Sequence, residues 1–263
     1  NMQKLPNIPM SFTARNDYAF KKLFGTEENK DIMIEFISLV TLLSQDDFDD
    51  VRIENSEYIP RFYNDKIGRL DIKIRLKDDR KIDVEMQNTY FDYYPKRSIF
   101  YCSKLIHEHF VSGLQYANLK KCIAINVLNS PFKLSRKVHS VYQIREQEEQ
   151  TLLDELLEIH FLDLIKLKKE NLTSLEKWLM FIKTDSKEER QMLAQENPAM
   201  AKANQVMDIF YLDEQERKRY EAAWEYESDR LSMISESERK GLERGKSLGS
   251  RQKALETAKT MLT

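Results

Sequence analysis

The sequence predicts an α/β protein in which a mixed sheet is flanked by helices and followed by a helical C-terminal region. Residues 70–87 alternate apolar and polar side chains with a period of two, which is typical of strands. Cys122–Leu128 is almost continuously apolar and β-branched, which indicates a strand buried on both faces of a sheet. Only six Gly and six Pro occur among 263 residues, a composition that favours long helices and short loops.

Helical patterns lie on both sides of the alternating stretch. Residues 13–43 have apolar side chains at helical spacing interrupted by Gly25, so we expect a short helix, a turn and a longer helix. Thr26 and Asn29 compete as the N-cap of the longer helix. A further helix is predicted at 95–117, with the apolar set Ile99, Phe100, Leu105, Ile106, Phe110 and Leu114.

The predicted strands lie in the first two thirds of the chain, at 51–53, 70–76, 82–87, 122–128, 138–144 and 158–162. We therefore expect an α/β core over residues 13–165. The remainder, 166–263, is predicted to be helical and highly charged, and to serve as an assembly segment or a tail. Gly241, Gly245 and Gly249 lie among charged residues there, which excludes a membrane GxxxG pairing motif.

The overall charge is close to neutral, with 42 Lys and Arg against 44 Asp and Glu. Any binding to DNA must therefore use a local basic face. Cys102 and Cys122 lack CxxC spacing, and no signal-peptide pattern or membrane-length apolar run occurs, so we expect reduced, buried thiols in a soluble cytoplasmic protein. The composition excludes a disordered chain, a collagen-like fibre and a disulfide-stapled miniprotein.

Two acidic residues of the predicted hairpin lie on one sheet face. A loop at 77–79 pairs Asp71 with Glu85, and a loop at 78–80 pairs Asp71 with Gln87; both leave Asp71 and Glu85 on the same face. Neighbouring carboxylates repel one another unless a proton or cation lies between them, and Mg²⁺ prefers such oxygen ligands. The alternative is an ordinary solvated face.

In that alternative, Lys73 or Arg75 neutralises both acids. Asp83 shares the face and is interpreted as a solvated surface acid. Other chemistries find little support: no GxGxxG, P-loop, GxSxG or HExxH pattern occurs, and His107 and His109 point to different faces of their helix. His139 and His160 are interpreted as packing or strand-surface residues.

Four ordered segments carry a family resemblance. The strings GRLDIK at 68–73 and IDVEMQ at 82–87 resemble the PD-(D/E)XK nuclease core, and more narrowly the nuclease-family transposases, or recombination-promoting nucleases. NDYAFKKLFG at 16–25 is similar to the N-terminal motif of that family, and Arg97 and Tyr101 match its R-x-x-x-Y. The likeness spans about residues 13–165, with a weaker echo in the glycine-spaced tail.

The resemblance implies a restriction-endonuclease-like core and metal-dependent cleavage of DNA. Asp71 and Glu85 would bind Mg²⁺, or Mn²⁺ as a substitute, and the backbone carbonyl of Met86 would be a further ligand. Gln87 stands where the superfamily has its motif lysine; an amide carries no charge and accepts no proton, so it can only orient water or phosphate. This substitution leaves open weak catalysis, or a need for Lys73 or a second metal.

Other residues would complete the implied site. Asp17 would join or position the metal site, or else interact only with the helix macrodipole. Arg97 would clamp a phosphate, bridge to an active-site acid or make a surface salt bridge, and Tyr101 belongs to the core. DNA contacts are expected from Arg69, Lys73, Lys96 and Arg97. Tyr90, Phe91, Tyr93 and Tyr94 would contact DNA or a second subunit.

We therefore predict a metal-dependent DNA endonuclease of low sequence specificity, related to transposition and recombination. The alternative is a catalytically weak or inactive nuclease-fold protein that binds DNA or assembles with partners, and a third possibility is a plain interaction module. A homodimer through C-terminal helices is expected to use the face of Tyr220, Trp224 and Leu231.

Overall fold

A computed structural model describes residues 11–54, 72–89, 91–111, 115–195 and 197–261. Six strands form one sheet in the order β1-β2-β3-β4-β6-β5. β3 pairs in parallel with β4, and β4 with β6, whereas the other neighbours are antiparallel. The strands are β1 Arg52–Ile53, β2 Ile72–Arg75, β3 Lys81–Gln87, β4 Cys122–Leu128, β5 His139–Tyr142 and β6 Leu157–Asp163.

Helices cover both faces of this mixed sheet, as predicted. They are α1 Asp17–Phe24, α2 Lys30–Thr41, α3 Tyr94–Val111, α4 Ser174–Lys183, α5 Lys187–Ala194, α6 Pro198–Leu212 and α7 Glu214–Met261. The main hydrophobic core joins one sheet face to α1, α2, α4 and α6, and a smaller set packs under α3. Helices from both predicted regions, 13–165 and 166–263, thus contribute to one hydrophobic core.

β4 shows why its sequence is almost continuously apolar. Ile123, Ile125 and Val127 enter the main core, and Cys122 and Ala124 enter the clusters under α3. Because successive side chains of a strand point to opposite faces, a strand covered on both faces loses the period-two pattern.

The register of the β2–β3 hairpin is one of the two that the sequence predicts. Ile72 pairs with Val84 and Arg75 with Lys81, and the Leu76 N–H donates to the Arg80 carbonyl at 2.9 Å. This register corresponds to the loop at 77–79, in which Asp79 adopts a positive φ of 66°.

The N-terminal helices follow the expected short helix, turn and longer helix. Asn16 caps α1, its Oδ1 accepting from the N–H groups of Tyr18 and Ala19. Asn29 occupies the N-cap position of α2, yet neither it nor Thr26 caps with its side chain. Both side chains donate instead to the Lys22 carbonyl at the end of α1.

The predicted apolar face of α3 was partly wrong. Ile99 and Phe100 are 52% and 60% exposed, whereas Tyr101, Cys102 and Leu105 are buried. Residues at i, i+3, i+4 and i+7 share one helical face, and α3 lies on the sheet with that face alone. Of the rest of the predicted set, Leu114 lies outside the described residues.

One residue of the expected dimer face, Tyr220, belongs instead to the core of its own chain, whereas the homodimer itself stays a prediction. Tyr220 is 3% exposed and packs edge-on against Phe12. Its hydroxyl accepts from the Thr13 N–H at 2.9 Å, and Trp224 packs on the same core.

Both cysteines are free and buried, and burial raises the pKa of Cys122 to about 12. Within the described ranges, no helix combines the length and the apolarity that crossing a membrane requires.

Candidate nuclease site

Glu85 is the buried acid around which the candidate site is built. It lies on β3 with 1% exposure, on the sheet face that α3 covers. Gln87, two residues along the strand, shares this face, and its Nε2 donates to Glu85 Oε2 at 2.9 Å. Arg97 Nη2 of α3 lies 3.5 Å from the same oxygen. The contacts of this buried carboxylate thus include a neutral donor and a cationic one.

The side chain of Gln87 is fixed in one orientation. The Tyr94 hydroxyl donates to Gln87 Oε1 at 2.7 Å. Burial raises the pKa of Tyr94 well above its usual range, so this hydroxyl stays protonated and remains a donor. With its carbonyl oxygen directed to Tyr94, the amide must present its NH₂ group to Glu85.

Arg97 is held by two aromatic rings of its own helix. Its guanidinium lies 5.1 Å from the Tyr101 ring centroid and 5.8 Å from that of Tyr94. Residues 94, 97 and 101 lie on one helical face, so α3 itself arranges this contact. Burial raises the pKa of Tyr101 to about 12. Of the roles predicted for Arg97, the structure shows the contact with the acid of β3.

A polar link secures α3 to the sheet beside Glu85. Asn126 pairs with Glu85 across β3 and β4. Ser98 Oγ donates to Asn126 Oδ1 at 2.8 Å, and Asn126 Nδ2 donates to the His160 carbonyl at 3.1 Å. Because these buried groups satisfy one another, they fix the register of α3 and thereby the positions of its tyrosines and arginine.

Glu227 of α7 contacts the residue next to Gln87, and the sequence did not predict this contact. Asn88, next to Gln87, donates through Nδ2 to the Arg15 carbonyl at 2.9 Å and to Glu227 Oε2 at 3.2 Å. Burial raises the pKa of Glu227 despite that hydrogen bond, and the charge of Asp17 acts in the same direction. No short-range pattern links residues 88 and 227.

Of the predicted site residues, the structure brings together Glu85, Gln87 and Arg97. Asp71 and Arg69 lie outside the described residues. Asp17 is half exposed and pairs with Lys21 at 3.1 Å. The Met86 side chain belongs to the main core, and Lys96 is exposed in the first turn of α3.

Two interpretations of the hairpin face need correction. The Lys73 ammonium lies between the carboxylates of Glu54 at 3.1 Å and Glu108 at 2.6 Å, so it is engaged rather than available to DNA. Asp83 is 1% exposed and is not a solvated surface acid. The reason is common to both: α3 covers this face, which the hairpin pattern alone could not show.

The donor chemistry of the site fits the implied divalent cation. Carboxylate and carbonyl oxygens suit Mg²⁺ or Mn²⁺. Among the described residues, no group of three or more His, Cys, Asp or Glu side chains is placed to hold a metal. The other predicted carboxylate ligand, Asp71, lies outside the described residues.

A comparison with protein families decides the relationship. The sequence model for the PD-(D/E)XK nuclease family transposases matches residues 14–237, which is more than four fifths of the chain. The chain belongs to this family. Searches of the curated proteins and of the solved structures found no match. The family match extends beyond the expected core into α7 and includes Glu227.

Membership in the PD-(D/E)XK nuclease family transposases agrees with the observed fold. The mixed sheet, the flanking helices and the long C-terminal helix form a nuclease-like α/β architecture. The predicted family and fold class are therefore confirmed. Nuclease-fold families of this kind typically act on DNA and use divalent metal ions.

Proposed function

We propose that this protein is a metal-dependent DNA endonuclease that hydrolyses phosphodiester bonds with low sequence specificity during recombination or transposition. The observation that carries the proposal is the buried Glu85, held by an oriented Gln87 on the strand where the family has its nuclease motif.

Asp71, Glu85 and the Met86 carbonyl would hold Mg²⁺ or Mn²⁺. The pairing of Ile72 with Val84 supports this set, because it is the register for which the sequence predicts Asp71 opposite Glu85. A bound metal would polarise the phosphoryl oxygen and lower the pKa of a water molecule for attack on phosphorus.

Gln87 and Arg97 together would take the place of the motif lysine. Gln87 cannot carry charge, but it orients Glu85. Arg97 supplies a permanent positive charge 3.5 Å from that acid, and its side chain is 29% exposed. An arginine in this position can contact a phosphate while it stays beside Glu85.

DNA would approach along the first turn of α3. Lys96 is exposed there beside Arg97, and we propose that Arg69 adds a further contact. Contacts of this kind engage phosphates and carry no base information, which accounts for low sequence specificity.

The second candidate is a weak or inactive nuclease-fold protein that binds DNA. One observation favours it: Glu85 Oε2 already accepts from Gln87 and lies beside Arg97, so a metal must compete with both.

Nicking of supercoiled plasmid separates the two candidates. With Mg²⁺ or Mn²⁺, Asp71→Ala and Glu85→Ala should each lose about 100-fold or more of the wild-type rate, since metal ligands contribute at least as much as their supporting residues. Glu155→Ala, at an exposed acid just before β6, is the matched control and should cut normally.

Equal nicking by all four proteins would identify a contaminant and refute the enzymatic proposal. DNA binding with no nicking above a protein-free blank would favour the second candidate. Calorimetric titration with Mn²⁺ in the absence of DNA adds an independent readout, because Asp71→Ala and Glu85→Ala should abolish the binding heat.

A further inference from the structure

The two edges of the sheet differ in what they offer to another chain. β1 contains two residues, one of them Arg52. β5, at the opposite edge, contains four, and no described strand lies beyond it. The outer side of an edge strand presents main-chain N–H and C=O groups that pair with another strand unless the edge is protected.

The hydrogen bonding of β5 shows which main-chain groups face outward. The Val138 carbonyl accepts from the Asp163 N–H at 2.7 Å, so the groups of residues 138, 140 and 142 point toward β6. Those of His139 and Val141 alternate with them and point away from the sheet. The free edge therefore offers a row of donors and acceptors.

β5 is short, but its own residues lack the charges and the proline that protect many edge strands. Residues 138–144, which we name the β5 edge, have the sequence VHSVYQI and contain neither a charged residue nor proline. Val141 is 48% exposed and Ile144 51%. Leu134 and Leu153 lie beside the edge with 62% and 75% exposure, the first accepting from the Tyr142 hydroxyl and the second donating to the Ile144 carbonyl.

Charges of opposite sign flank the β5 edge. Exposed Arg136 and Lys137 precede it. Exposed Arg145, Glu146, Glu148 and Glu149 follow it and give that segment a net negative charge. In an antiparallel pair of identical strands, the beginning of each strand meets the end of the other. The net positive segment would then meet the net negative segment at both ends, whereas a parallel pair would bring segments of like net charge together.

We propose that a second copy of this chain binds at the β5 edge. The two β5 strands pair antiparallel about a twofold axis, which extends the sheet through both protomers and covers the exposed apolar side chains. β6 and β4 separate this edge from β3, so the interface leaves the Glu85 end of β3 accessible.

A charge exchange tests the proposal on the full chain, without DNA or metal. Light scattering after gel filtration should give twice the 31.3 kDa chain mass for the wild type at micromolar concentration. Arg136→Glu/Lys137→Glu and Glu148→Lys/Glu149→Lys should each give the single-chain mass. Their equimolar mixture should restore the doubled mass, because opposite charges again meet at both ends. Glu146 is left unchanged, since it accepts N–H bonds in its own turn.

A proline substitution supplies a second measurement. The Val141 N–H points away from β6, so Val141→Pro removes an outward donor without removing a bond of the ladder. This variant should keep the wild-type circular dichroism and give the single-chain mass. A wild type of single-chain mass, or a dimer that persists in both charge variants and in Val141→Pro, would overturn the proposal.

Discussion

β3 carries a buried charge at each end, Lys81 where the strand begins and Glu85 near where it finishes. At the beginning, Lys81 and Lys73 share the carboxylate of Glu108, and Lys73 also contacts Glu54, which pairs in turn with Arg75. Here cations and carboxylates alternate, and each ammonium is within 3.1 Å of an acid.

The other end of β3 has a different balance. Glu85 meets a neutral amide and a guanidinium at the longer distance of 3.5 Å, beneath the first turns of the same α3. The ion pairs indicate a structural role for the first end, whereas the proposed function places its chemistry at the second.

The largest expected effect is on the free energy of unfolding, through the ion pairs at the start of β3. Glu108→Ala leaves the ammonium groups of Lys73 and Lys81 without their shared acid, and should lower the free energy of unfolding by about 2 kcal/mol. Glu85→Gln should change it by less than about 1 kcal/mol, because the amide can still accept from Gln87. Urea unfolding measures both variants; equal losses would erase the distinction between the two ends.

The next largest expected effect is on the nicking rate, through the side chains around Glu85. Tyr94→Phe removes the donor that orients Gln87 and should lower nicking by about 10- to 100-fold, as loss of a supporting residue does. The matched control is Tyr116→Phe, since Tyr116 is 80% exposed and the loss of its hydroxyl should leave the rate unchanged. Identical rates in both variants would show that the orientation of Gln87 is immaterial.

The smallest effect is a dependence of stability on pH. Burial alone would raise the pKa of Glu108, but hydrogen bonds from Lys73 and Lys81 outweigh it and lower the pKa from its usual 4.5. The stabilisation is therefore complete above pH 4.5 and is lost as pH falls through the lowered pKa. One proton accounts for at most about 1.4 kcal/mol per pH unit.

Glu108→Gln should remove this contribution, so its stability should fall less steeply than that of the wild type below pH 4.5. Thermal unfolding followed across acidic pH measures the two slopes. Parallel slopes would mean that the ion pairs at the start of β3 do not form in solution.

The sequence predicted those features that depend on one element or on neighbouring strands. The continuous apolar run of β4 correctly indicated coverage of both faces, and the hairpin pattern placed Glu85 and Gln87 on one face. The same pattern wrongly suggested a solvated Asp83 and did not show the ion pairs that Lys73 makes. A strand pattern does not reveal which helix covers the strand.

Contacts between distant segments were beyond the reach of the sequence pattern. Ile99 and Phe100 looked like core residues because helical spacing shows an apolar stripe but not which part of it meets the sheet. Tyr220 and Glu227 belong to a charged helix whose packing against the N-terminal segment depends on tertiary structure alone.

The two cysteines give this fold a built-in reporter. Cys102 of α3 and Cys122 of β4 are fully enclosed where that helix meets the sheet. A thiol reagent can modify them only when the helix lifts, and the same helix carries Tyr94 and Arg97. The labelling rate of the unmodified protein thus measures how often α3 separates from the sheet, with no engineered probe.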